Sequence, residues 1–215
     1  MFELLGNGII ETLYMTLVST ALSYVFGLPL GVLLCVTDKN GVFRMPGFNR
    51  VLGFIVNFVR SAPFLILLVT ILPFTRAIVG TTIGSTATIV PLVVGASPFI
   101  ARMVESSLKE VDAGVIEAAQ SMGSSTFQII YKVLIPEAKP SLIMGAAIAV
   151  TTILGYSAMA GFVGGGGLGA IAINYGYYRY QEDVMLLTML LLVVIVQILQ
   201  AIGMKCAKLT DKRIK

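Results

Sequence analysis

What most limits the folds open to this chain is a series of apolar windows, each long enough to cross a bilayer as a helix. A hydrocarbon core roughly 30 Å thick needs about 20 helical residues. Such windows fall at 12–37, 51–74, 77–101, 140–161 and 184–204, with Arg60 the one charge inside them. They predict an all-α membrane protein with five transmembrane helices, organised as a single domain over residues 1–215. Composition agrees: 57% of residues are apolar and 12% charged, where soluble domains carry about 25% charge.

The charge-free stretch from Pro140 to Tyr178 is too long for one span, so it reads as one span with a loop or as two spans back to back. Basic residues collect on the cytoplasmic side of membrane proteins and decide between these. Lys39, Arg44 and Arg50 follow the first window, Arg102, Lys109, Lys132 and Lys139 follow the third, and Lys205, Lys208, Lys212, Arg213 and Lys215 follow the last. Five spans with the amino end outside put all of these on the cytoplasmic side. The fourth window is then a helix ending near Gly161, followed by a flexible, glycine-rich external loop, with Tyr175, Tyr177, Tyr178 and Tyr180 at the outer interface. Glu3 and Glu11 replace the positive region that a cleavable signal peptide needs, so the first helix is expected to remain.

Several chemistries are disfavoured. The sequence has no histidine, which removes the commonest base, metal ligand and proton relay. No acidic residue falls within an expected span, which argues against proton-driven transport. Cys35 and Cys206 suggest neither a disulfide framework nor a metal site. A formal G-x-G-x-x-G runs from Gly164 to Gly169, but the βαβ unit that would make it a nucleotide site is missing, and no phosphate-binding loop with its lysine occurs. The chain is not expected to be an enzyme or to hold a cofactor. Pro29, Pro63, Pro73, Pro91 and Pro98 should kink or end helices, and Gly27/Gly31 and Gly80/Gly84 have the spacing of close helix contacts.

The segment 102–139 is patterned rather than merely connecting. Val104, Leu108, Val111, Val115, Ala118 or Ala119, and Met122 recur at helical spacing, and Gly123 supplies a left-handed cap. Ser125 and Gln128 suit a capping box for a second helix with Phe127, Ile130, Leu134 and Ile135 on its apolar face and a stop at Pro136. Two short amphipathic helices against the inner membrane face are expected, able to dock into a groove of a soluble partner.

At this loop the sequence resembles a known family. Glu117-Ala118-Ala119 with Gly123, then Val133-Leu134-Ile135-Pro136, is similar to the E-A-A…G…I-x-L-P loop of the membrane subunits of bacterial ABC importers. Arg60-Ser61-Ala62-Pro63-Phe64, Pro98-Phe99-Ile100-Ala101-Arg102-Met103-Val104-Glu105 and Gly155-Tyr156-Ser157-Ala158-Met159 extend the resemblance, over nearly the whole chain, to permeases of methionine importers. The resemblance implies the type I importer permease fold in the bacterial inner membrane. It also implies a homodimer of this chain, two cytoplasmic ATPase subunits that bind ATP and Mg, an external substrate-binding lipoprotein, and L- and D-methionine as substrate. A nucleic-acid partner is not expected, and lipid surrounds the spans. Carried over, Glu117, Ala118, Ala119, Gly123 and Pro136 belong to the loop that couples to the ATPase. Tyr156, Ser157 and Met159 are candidates for the path or its gate, because a thioether repacks easily and excludes water. The same machine with another amino acid or a small peptide, and a scaffold or channel that only recruits a partner, are the alternative readings.

Overall fold

A computed structural model describes residues 2–210, so Lys212, Arg213 and Lys215 of the basic tail lie outside the described residues. The described elements are α1 (Phe2–Val36), α2 (Pro46–Ser61), α3 (Phe64–Thr70), α4 (Leu72–Val79), α5 (Ser85–Lys109) and α6 (Ala113–Ser121). They continue with α7 (Thr126–Ile129), a π-helical turn (Ile130–Leu134), α8 (Ile135–Glu137), α9 (Lys139–Ala160), α10 (Gly167–Ile171), a second π-helical turn (Ala172–Tyr177) and α11 (Glu182–Thr210). Four helical stretches are long and apolar enough to cross a bilayer: Phe2–Val36, Ser85–Lys109, Lys139–Tyr177 and Glu182–Thr210. The pair α2 and α3 makes a fifth if a broken span counts as one.

The window 51–74 is therefore not one straight helix. Its two helices turn through 99° at Pro63. Pro63 takes an extended ψ of 127°, and a proline disfavours the helical conformation in the residue before it, here Ala62. Pro29 lies within α1, and Pro91 and Pro98 within α5, without ending those helices. Membrane helices tolerate such prolines because neighbouring groups satisfy the freed carbonyls.

Two compact units divide the described chain. The first comprises the chain up to Ser23, Ala62–Ala96 and Ile148–Ala201. Its core is built from Leu5, Leu154, Leu168, Ile171, Val184 and Ile195. The second comprises Tyr24–Ser61, Ser97–Ala147 and the described residues from Ile202 on. Here Leu34, Val56 and Ala101 pack together. Small residues set the distance between α1 and α5 in this unit, since a Cβ on Gly31 would stand 2.5 Å from the carbonyl oxygen of Ala101. The close contact expected at Gly27 and Gly31 is thus present, whereas Gly80 and Gly84, with φ of 82° and 98°, flank a turn rather than lie on a helix.

The glycine run after α9 is part-helical rather than irregular throughout. A single 3-10 turn, Gly161–Val163, follows α9, and Gly167 opens α10 with Leu168 wholly buried. Two groups from α1 cap this short helix. The amide of Gly167 donates to Glu11 Oε2 at 2.6 Å, and that of Leu168 donates to Thr12 Oγ1 at 2.9 Å. Gly167 has φ of 77°, and a Cβ there would meet Thr12 Oγ1 at 2.5 Å, so both backbone and space demand glycine. Three amides of the formal nucleotide fingerprint, those of Gly165, Gly167 and Leu168, are thus engaged by the protein itself.

The acidic residues sit where the helices outrun the windows. Glu11 lies within α1 and Glu105 within α5, so both helices run past the apolar windows and carry a carboxylate just beyond them. The third window ends at residue 101, but α5 continues to Lys109. The charges beyond Ala101 sit on that same helix, where Arg102 and Lys109 flank Glu105 and Asp38, from the connection after α1, balances the second cation.

Candidate functional site

The loop after α5 begins with a break that the periodicity does not show. The expected helix through Val104, Leu108, Val111 and Val115 is two helices, because Asp112 starts a new one: its Oδ1 accepts from the amide of Gly114 at 2.8 Å. Val104, Leu108 and Val111 are buried, but α6 itself has no buried residue. Glu117 and Ala118 are exposed, and Ala119 is half-buried.

Helix α6 ends in a complete Schellman motif. The amide of Ser124 donates to the Ala119 carbonyl at 3.1 Å, and that of Gly123 donates to the Gln120 carbonyl at 2.9 Å. The motif needs a left-handed residue, and Gly123 supplies it at φ of 76°. The expected capping box follows. The Ser125 amide donates to Gln128 Oε1 at 2.8 Å, and the Gln128 amide to Ser125 Oγ at 3.4 Å. Two adjacent end-stops hold an exposed turn in one shape.

The second loop helix differs from its expected form in two ways. Pro136 does not stop the helix. It sits inside α8, and the π-helical turn just before it absorbs the proline: the Ile135 amide reaches back to the Ile130 carbonyl, which widens the ladder where the proline ring would otherwise press on a carbonyl. The buried face is Ile129 and Leu134, while Phe127 and Tyr131 are 75% and 65% exposed. Those two rings stack at 6.5 Å and 7°. Together with Val115 and with Met122, itself 84% exposed, they leave large apolar side chains without cover beside the charged Glu117. Sequence periodicity assigned Phe127 to the inner face because the π turn that shifts the register cannot be read from spacing.

Glu117 makes no ion pair among the described residues. It borders a cleft of about 410 Å³ between α6 and the connection that follows α1, with Arg44, Asn40 and Gln120 also on its walls. Beneath this cleft lies a cluster that the sequence reading did not assemble. Lys109 Nζ pairs with Asp38 Oδ2 at 2.7 Å and with Glu105 Oε1 at 2.8 Å, and Arg102 Nη1 pairs with Glu105 Oε2 at 2.5 Å. The Lys109 hydrogen bond holds the Asp38 carboxyl below the usual carboxylate range, with the Lys39 amide assisting. The signal was legible as Arg102, Glu105 and Lys109 at i, i+3 and i+7 on one helix face.

In the first unit the structure places the other candidates apart. Tyr156 lies flat on Phe64, ring centroids 4.3 Å apart and 5° from parallel, so the segments around Pro63 and Tyr156 meet. Ser157 is buried, and its hydroxyl donates to the Leu154 carbonyl at 2.8 Å. Met159 is 47% exposed. Met159 is thus presented outward on α9, Tyr156 is half-buried against Phe64, and Ser157 faces inward. Among the described residues, no three His, Cys, Asp or Glu side chains come together as a metal site would require.

Among the described residues, bilayer-length helices, a broken helix pair and an exposed, doubly capped helix–turn–helix loop define a helical membrane protein with an uncovered loop. Residues 11–215 match the family described as binding-protein-dependent transport system inner membrane component, and the chain belongs to that family. A probable D-methionine transport system permease protein MetI of Vibrio cholerae is 50% identical over 211 residues, covering 98% of this chain and 94% of that one. The D-methionine transport system permease protein MetI of Escherichia coli is 53% identical over 161 residues, 75% of this chain and 74% of that one. A solved structure of inward-facing conformations of the MetNI methionine ABC transporter superimposes with a TM-score of 0.96 at 50% identity, covering 97% of both chains. An amino acid ABC transporter at 20% identity, covering 99% of this chain and 94% of that one, shares the fold with a TM-score of 0.75.

Proposed function

We propose that this chain is the permease subunit of an ATP-driven methionine importer in the bacterial inner membrane. The observation that carries the reading is the near full-length likeness, 50% identical over 98% of the chain, to a permease of a D-methionine transport system. Two copies form the pathway, two ATPase subunits bind ATP and Mg, and an external binding protein delivers the substrate. The amino end lies outside and the basic loops lie in the cytoplasm, a topology that the distribution of lysine and arginine supports.

In this reading the α6–α7 turn seats in the ATPase subunit. The exposed Ala118 permits close approach, Glu117 meets a basic residue of the partner, and Met122, Phe127 and Tyr131 bury their apolar surface there. Gly123 and Pro136 shape the turn and its exit. Closure of the ATPase pair on nucleotide displaces the loop and reorients the spans. Tyr156 and Met159 line the path or its gate, where weak, multi-site contact favours release. Ser157 supports α9 from its buried side.

Uptake of labelled methionine in the presence of excess unlabelled amino acids and small peptides tests the substrate. Competition by methionine alone supports the assignment, and equal competition by an unrelated amino acid contradicts it.

A further inference from the structure

The charged cluster at the end of α5 links three parts of the second unit. Arg102 reaches α2 twice, its Nη2 donating to the Gly53 carbonyl at 2.9 Å and its Nε to Asn57 Oδ1 at 3.0 Å. Its third contact is Glu105, whose other oxygen takes Lys109, and Lys109 takes Asp38 in the connection after α1. The signs alternate along the chain of contacts and cancel. Gly53 makes room for this arrangement, since a Cβ there would stand 3.1 Å from Arg102 Nη2. Glu105 is 8% exposed, an expensive place for a carboxylate and a position where an apolar side chain would pack at less cost.

The placement explains why charge is kept there. Lys109 is the last residue of α5, and only Glu110, Val111 and Asp112 separate it from α6. A load applied to α6 either bends that short connector or moves α5, α2 and the post-α1 connection together. Contacts between small apolar residues slide under such a load. Short charge-assisted hydrogen bonds are directional and resist it.

We propose that Asp38, Lys109, Glu105 and Arg102 form a positioning relay that clamps the root of the α6 loop to α2 and to the connection after α1. Displacement of the loop is thereby passed to the spans rather than lost in the connector. The relay rests on the importer reading above.

The test uses the complete transporter, with its ATPase and binding protein, reconstituted in lipid vesicles. Methionine moved per ATP hydrolysed is measured for the intact complex, Lys109→Gln, Glu105→Gln and the charge-keeping Lys109→Arg. Lys109→Gln and Glu105→Gln should each lower that ratio about five-fold with ATP hydrolysis maintained, while Lys109→Arg stays within about two-fold of the intact complex. Backbone amides of residues 39–42 should exchange with deuterium about ten-fold faster in both glutamine variants. A proportional fall of transport and hydrolysis, or an unchanged ratio in Lys109→Gln, overturns the relay. Lys109→Arg as impaired as Lys109→Gln overturns it too. If the intact complex hydrolyses ATP but moves no methionine, the importer reading fails, and exchange at residues 39–42 alone then decides whether the clamp exists.

Discussion

The carboxylate of Glu11 and the amide of Gly167, 156 residues apart in sequence, meet at 2.6 Å and tie α1 to the first turn of α10. A charge-assisted bond at a short helix's start holds the glycine run in place. Glu11→Ala should lower stability by about 1.5–3 kcal/mol, and Glu11→Gln by less, because a carbonyl still accepts from Gly167. Thermal unfolding in detergent reads both.

The ion pair of Asp38 with Lys109 sets a pH dependence with a defined sign. The folded carboxyl lies below its ordinary value of 3.8, so its stabilising contribution is complete above that value and is lost as pH falls through the lowered one. Asp38→Asn should therefore unfold at lower temperature than the unaltered protein near neutrality. The gap should close progressively on acidification below pH 3.8. A gap that widened in acid would show that Lys109 does not hold the aspartate.

Gly123 at φ of 76° carries the turn between α6 and α7. Gly123→Ala should cost about 1–2 kcal/mol locally, because a Cβ disfavours the left-handed conformation. In the importer this appears as fraying of α6, read by faster amide exchange at Ser124, and as weaker retention of the ATPase on purification.

The stack of Tyr156 on Phe64 predicts that Tyr156→Phe is nearly neutral and that Tyr156→Leu is not. A double-mutant cycle with Phe64→Leu should give a coupling of about 0.5–1.5 kcal/mol. Additive effects would mean that the two rings are neighbours without interacting.

The sequence made the membrane class and the loop legible, and the reasons differ. Long charge-free windows are fixed by bilayer thickness, and the cap at Gly123 and the box at Ser125 and Gln128 are local chemistry that three to six residues specify. What escaped was set by contacts distant in sequence. Nothing near Gly164 or Gly169 announces that Glu11 will cap the glycine run. Arg102 appeared to bound a span, yet it lies inside a helix whose Glu105 pays for the charge. The register shift at the π turn separates Phe127 from Leu134, with which spacing had grouped it on one apolar face, and no periodicity argument anticipates an extra residue in a turn. Pro63 is legible as a breaker, but the stack of Phe64 on Tyr156 just after it joins residues 92 positions apart and leaves no local signal.

The most direct measurement is uptake of labelled methionine at low concentration in cells lacking this chain, then in cells carrying it intact or as Glu117→Lys. The intact chain should restore uptake. The variant, with the charge reversed on the exposed face of α6, should fail to do so or should hydrolyse ATP without transport. Uptake fully restored by Glu117→Lys with normal assembly would contradict the coupling role, and no methionine uptake with the intact chain while the ATPase still copurifies would contradict the substrate.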